Sequence, residues 1–131
     1  MIRDAAVIEL LSGDNTLLDA VLVEVNARCV ESGSAIDLRF NGRRGSQFSD
    51  IILTFTEIIK FSVLYEMGDI PLDVWDLKFI RLKDGSYYIT LDPDPSTLGA
   101  AGVKELDASD TDGFVVHASH VEVAVTDANV T

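Results

Sequence analysis

Leu17-Leu18-Asp19-Ala20-Val21-Leu22-Val23-Glu24-Val25-Asn26-Ala27-Arg28-Cys29-Val30 decides the fold class. Val21, Val23, Val25, Ala27 and Cys29 alternate with Leu22, Glu24, Asn26 and Arg28. A period of two in β-branched residues is the mark of a half-buried strand. The odd-numbered set is expected inward, with Cys29 as a small buried hydrophobe. Glu31-Ser32-Gly33-Ser34 supplies a turn, and Ile36, Leu38 and Phe40 resume the alternation, so the two runs read as a hairpin.

Upstream, Asp4 is placed to cap a short helix through Leu11, with Gly13 as its stop, although Ala5 to Leu11 also suits a strand. Downstream, Asn41 to Ser49 is a polar loop. Ile51, Leu53 and Phe55 mark a third strand, continued by Ile59, Phe61, Val63 and Tyr65 after a bend at Thr56-Glu57. Leu77 to Leu82 is a further strand whose apolar face switches between Phe79 and Ile80, as at a bulge. Lys83-Asp84-Gly85-Ser86 is a tight hairpin turn, with Asp-Gly taking the positive φ angles. The return strand runs from Tyr87 to Leu91 and ends at Asp92-Pro93-Asp94-Pro95. Phe114 to Val125 closes the fold, with a register shift near Ser119, and Asp127 to Thr131 is a tail. The expected fold is mainly β, an antiparallel sandwich or partly open barrel with one short N-terminal helix. Its 131 residues suit a single domain.

Composition narrows the function classes. No apolar run approaches the roughly 20 residues that span a bilayer, and the first residues lack a signal peptide's basic start. With Cys29 the lone cysteine, a cytoplasmic setting is the expectation. The net charge is −12, and −8 of it falls from Asp84 onward, where nine acids face one base, Lys104. Such a field repels nucleic acid and anionic membranes and favours basic proteins. Solubility alone also accounts for it. Asp107, Asp110 and Asp112, read as solvated loop residues, are the expected partner surface. Apolar residues on both faces of Ile51 to Tyr65 add the expectation of a homodimer.

Chemical motifs are absent. Asp107 to Gly113 has the oxygen ligands of a calcium loop, but aligning Gly113 with the sixth position makes the first ligand Ala108 and the twelfth Ser119. The EF-hand reading fails, and Asp92, Asp94, Asp110 and Asp112 are better read as solvated acids than as a looser cation site. His117 and His120, three apart on a strand, point to opposite faces. Arg43 and Arg44 are better read as a solvated loop tip than as an anion site. No nucleophile elbow, P-loop or dinucleotide fingerprint occurs, and no catalytic residue, cofactor or metal is expected. Tyr65, Trp75, Tyr87 and Tyr88 alternate with charges, so some face outward or pack under a loop. Exposed clusters of Tyr and Trp supply interface energy, but core packing is the expectation for most of them.

The segments Leu17 to Val25 and Asp84-Gly85-Ser86-Tyr87-Tyr88-Ile89-Thr90-Leu91-Asp92-Pro93 are similar to elements of small bacterial β domains. Several of those are uncharacterised or proposed immunity proteins of toxin–immunity systems. In the first segment Leu18 stands where such domains often have His, and the resemblance brings no defined site. Together with the acidic charge and the lack of chemical motifs, it points to a non-catalytic binding protein, an immunity-type inhibitor of a basic partner. The alternative is a small-molecule binding or hydrolytic domain whose pocket is assembled from distant strands.

Overall fold

The computed structural model describes residues 2–31, 33–62, 70–93 and 112–128. In chain order the elements are β1 (Ile2–Arg3), α1 (Ala5–Leu10), a 3₁₀ turn (Gly13–Asn15), β2 (Val21–Val30), β3 (Gly33–Asn41), β4 (Phe48–Ser62), β5 (Leu72–Asp73), β6 (Lys78–Arg81), β7 (Tyr87–Thr90) and β8 (Val115–Asp127). They form one antiparallel sheet in the order β5-β2-β3-β4-β8-β7-β6, with β1 also on β8. The sheet curls into a half-barrel, so the partly open barrel is realised and the two-sheet sandwich is not. Val7 and Leu11 of the helical segment belong to the same buried core as Leu38, Phe40, Leu53 and Phe55, and the helix lies nearest β1, β6 and β8.

Local chemistry explains most boundaries. The β2–β3 hairpin expected here is present, but it closes at Val30 opposite Gly33, so Gly33 and Ser34, expected in the turn, already belong to β3. Within β2 the ladder shifts between Leu22 and Glu24, which turns Leu22 into the core and leaves Val23 half-buried. Beyond Val25 the strand overruns the core, so Ala27 and Cys29 are exposed. The expected burial of Cys29 is thereby overturned.

Asp4 occupies the N-cap position of α1, its carbonyl accepting from Val7 N–H at 2.9 Å, but its side chain does not cap the helix. The residue has φ 57° and makes no side-chain cap bond. Instead it ties the N-terminus to β8: its N–H donates to Val121 O at 2.7 Å, and its carboxylate accepts from Val121 N–H at 3.1 Å.

The bend expected at Thr56-Glu57 is present, with Glu57 at φ 55°. Across it β4 and β8 change facing together. Phe55 and Val121 pair in the core, Ile58 and Ala118 face it three residues on, and the rows between run without a slip. The facing of β8 thus changes near Ser119 as expected, but the extra residue belongs to β4, where the ladder shifts between Ile58 and Lys60. No shift separates Phe79 from Ile80, because β6 pairs evenly with β7. Their opposite facings reflect a strand partly covered on both sides.

In the β6–β7 turn only Gly85 takes the positive φ, 90°, and Asp84 does not. Leu82 N–H donates to Ser86 O at 2.8 Å and Gly85 N–H to Leu82 O at 2.9 Å, a three-residue loop with its left-handed residue at Gly85. A Cβ there meets only Arg81 Nη2 at 3.5 Å, so its cost is conformational. Gly85→Ala is expected to lose about 1–2 kcal/mol in urea unfolding. Gly99 and Gly102, which offer no such demand in sequence, lie outside the described residues.

On the outer face Asp37 knits three strands. Its carboxylate accepts from Arg28 Nε of β2 at 2.8 Å and from Thr54 Oγ1 of β4 at 2.6 Å. Burial pushes the Asp37 carboxyl up, but the bonds from Arg28 and Thr54, with the guanidinium charge, outweigh it and hold it below the usual carboxylate range. A depressed folded pKa stabilises above the unfolded value of about 3.9 and is lost as pH falls through the folded value. Asp37→Asn should therefore lower the melting temperature at neutral pH, and its difference from wild type should begin to shrink as pH falls below about 4 and vanish only below the depressed folded pKa.

Candidate functional site

The structure divides the expected partner surface. Asp107 and Asp110 lie outside the described residues. Asp112 is not solvated: its side chain is 0% exposed, Lys78 Nζ stands 3.5 Å from Oδ2, and Tyr88 Oη donates to the same oxygen at 2.5 Å. The Lys78 side chain is only 3% exposed. Asp112 thus anchors the β6–β7 face from within. Sequence reasoning missed this because Lys78 and Tyr88 lie on separate strands more than twenty residues away. Asp94 is outside the described residues, and among those described no three His, Cys, Asp or Glu side chains are grouped to hold a metal ion. Arg43 bonds the Asp14 carbonyl at 3.0 Å, so part of the polar loop is held against the 3₁₀ turn.

The two histidines go separate ways. His120 lies between carboxylates, with Nδ1 3.4 Å from Asp4 and Nε2 3.1 Å from Glu57, and it braces the kinked row of β4 and β8. His117 Nε2 is 2.7 Å from Ser86 Oγ, beside a cleft of about 290 Å³ lined by Ile59, Asp84, Gly85, Ser86 and Ser119. This is the arrangement that would support hydrolysis, and its polarity is wrong. Ser86 Oγ has one proton, and it donates to Asp84 Oδ1 at 2.5 Å. The Asp84 carboxyl is held below its usual range by that hydroxyl and by the Ser86 N–H. With the hydroxyl proton directed at Asp84, the 2.7 Å contact is one in which His117 Nε2 donates to Ser86 Oγ, the reverse of general-base geometry. Asp84 serves Ser86 rather than the imidazole, whose ring rests edge-on against Tyr88, and the trio ties the hairpin turn to β8.

A different constellation forms where β5 meets β2. Val74 is 1% exposed and is gripped by two backbone bonds at 2.9 Å: its N–H donates to Ala20 O, and its carbonyl accepts from Asp19 N–H. With Val74 fixed inward, its neighbour Trp75 projects outward and is 80% exposed. Leu18, the residue before Asp19, is 38% exposed. Asp19, Asp73 and Asp76 are exposed around them, and Glu24 follows on β2. No Lys or Arg occurs in 17–24 or 70–77. Arg39, opposite Glu24 in the ladder, is engaged with Asp50 at 2.9 Å. Leaving a Trp in water forgoes roughly 3–5 kcal/mol of apolar burial. The sequence marked Trp75 as an aromatic among charges, but the backbone clamp that turns it outward joins residues more than fifty apart.

A second concavity of about 340 Å³ lies at the far end of β2, lined by Ala27, Arg28, Cys29, Ser34, Ile36, Ile58 and Phe61. Comparison of the chain with protein-family models, with curated proteins and with solved structures found no match.

Proposed function

We propose that this chain is a non-catalytic binding protein that engages a basic protein partner through the Trp75 corner, in the manner of an immunity-type inhibitor in the cytoplasm. The exposure of Trp75 amid Asp19, Asp73 and Asp76 carries the reading. An exposed Trp on the same corner of the fold as exposed Asp19, Asp73 and Asp76 suits a Lys or Arg side chain, which gains from the ring and from the negative field together. Support also comes from the net charge of −12 and from the proton direction at Ser86, which argues against the hydrolytic alternative. The described helix is six residues long, and among the described residues no helix is long and apolar enough to cross a membrane.

The test is electrostatic. With a basic partner in hand, Asp73→Lys/Asp76→Lys should slow association at low salt, and the difference from wild type should shrink as salt rises, because screening acts over about 8 Å at physiological ionic strength. Equal association rates at low salt would overturn the reading.

Self-association is a second reading, favoured by Ile59, 55% exposed, and Phe61, 39% exposed, near the end of β4. A monomer in light scattering at tens of micromolar, roughly the weak end of dimer affinities, would remove it.

A further inference from the structure

The outer edge of β2 deepens the binding role assigned to the Trp75 corner, and its own role rests on that reading. β3 pairs the whole of β2, but on the other side β5 covers only Val21 and Leu22. From Glu24 to Val30 no strand lies beside that edge among the described residues. Long, unprotected edges are templates for another strand, and proteins usually shorten, charge or cover them.

The direction of the backbone groups follows from the ladder. Val30 and Gly33 close a two-residue turn, so they exchange both hydrogen bonds, and every second pair does the same. Glu24, Asn26, Arg28 and Val30 therefore turn their N–H and C=O groups to β3. Val25, Ala27 and Cys29 turn theirs outward. The two faces of the edge differ. The side of Ala27 and Cys29 opens into the 340 Å³ concavity with Ile36, Ile58 and Phe61. One end of the edge runs into the acidic corner at Asp73, Trp75 and Asp76.

We propose that an extended, basic segment of the partner adds to this edge as a strand, its alternate apolar side chains entering the concavity and its cations reaching the Trp75 corner. Main-chain bonds supply pairing of any sequence, while the concavity and the carboxylates select apolar and basic side chains at alternate positions. In such a strand the residues opposite Val25, Ala27 and Cys29 point their side chains into the concavity and their N–H groups at β2.

Three synthetic peptides test this: an acetylated and amidated Lys-Val repeat of eight residues, the same peptide N-methylated at each Val, and the same N-methylated at each Lys. All carry identical charge. The parent and the Lys-methylated peptide should bind, quench the single tryptophan, and slow hydrogen exchange at Val25, Ala27 and Cys29. The Val-methylated peptide should bind about tenfold more weakly or worse, since its N–H groups toward β2 are gone. Ala27→Pro removes an outward N–H at a position where the ladder to β3 does not use it, and it should weaken the parent peptide about tenfold while circular dichroism stays that of the native sheet. If all three peptides bind alike, the edge is not the site although the acidic corner still is. If none binds, or if the same amides become protected on raising protein concentration without peptide, strand addition by a partner is overturned, in the second case in favour of a second copy. If the parent protects the edge but Trp75→Ala leaves its affinity unchanged, the Trp75 corner fails, and with it the cation-directed part of this proposal.

Discussion

Asp112→Ala should cost about 3–5 kcal/mol of folding free energy, read as a drop in the urea midpoint. The Lys78 ammonium would lose the carboxylate 3.5 Å away while its side chain stayed 3% exposed, and a buried charge without that partner is far costlier than a missing surface pair. Tyr88→Phe removes the hydroxyl that donates to the same oxygen and should cost about 1.5–3 kcal/mol, the range for a bond to an ionised group. The informative variant is Lys78→Met/Asp112→Leu. Replacing both charges with apolar side chains leaves neither charge buried without the other, so it should recover the part of the loss that does not come from the Tyr88 hydroxyl losing its acceptor. An Asp112→Ala chain as stable as wild type would mean that the cluster contributes nothing to the β6–β7 face.

Trp75→Ala carries the second large effect, and on a different quantity. Affinity for the basic partner should fall by at least about 2 kcal/mol, some thirtyfold, the threshold for an aromatic anchor at an interface centre. Stability should move by no more than about 0.5 kcal/mol, because an 80% exposed side chain contributes little to the core. Surface plasmon resonance against a urea melt separates the two. A variant that melts early and binds normally would place Trp75 in the fold and not in the interface.

These two residues also show how far the sequence could be read. Period-two alternation in β2 and β3, the Asp-Gly turn and the bend at Glu57 are local signals, and each strand they imply exists. Facing was legible only where one side of a strand is bare. Leu22 reads as outward in sequence, and a single ladder shift beside Glu24 buries it. Asp112 reads as a loop acid because its neighbours Asp110 and Thr111 are polar, whereas its surroundings are set by Lys78 and Tyr88 from other strands. Cys29 follows the inward pattern of β2, yet the strand outruns the core that the pattern presumes. The acidic corner was split in the sequence between 17–24 and 70–77, so no window over either segment could reveal it.

The pairing of β4 with β8 has a kinetic consequence. Every connection from β2 through β4 is a hairpin or a short loop, so those three strands are able to assemble from local encounters. Their ladder with β8 joins Ser62 to Val115 at the near end and Phe48 to Asp127 at the far end, and the intervening stretch must be gathered before the first rung forms. Closing so long a loop is paid in chain entropy before any contact returns it. Both β1 and β7 dock on β8, so neither has its place in the sheet until that rung exists. Arrival of β8 is therefore the step expected to set the pace of folding, in the roughly millisecond-to-second range of other sheets built from distant pairings, which stopped-flow refolding would read. Until then the outer edge of β4, with Ile51, Leu53 and Phe55 beside it, is the stretch most open to the wrong neighbour.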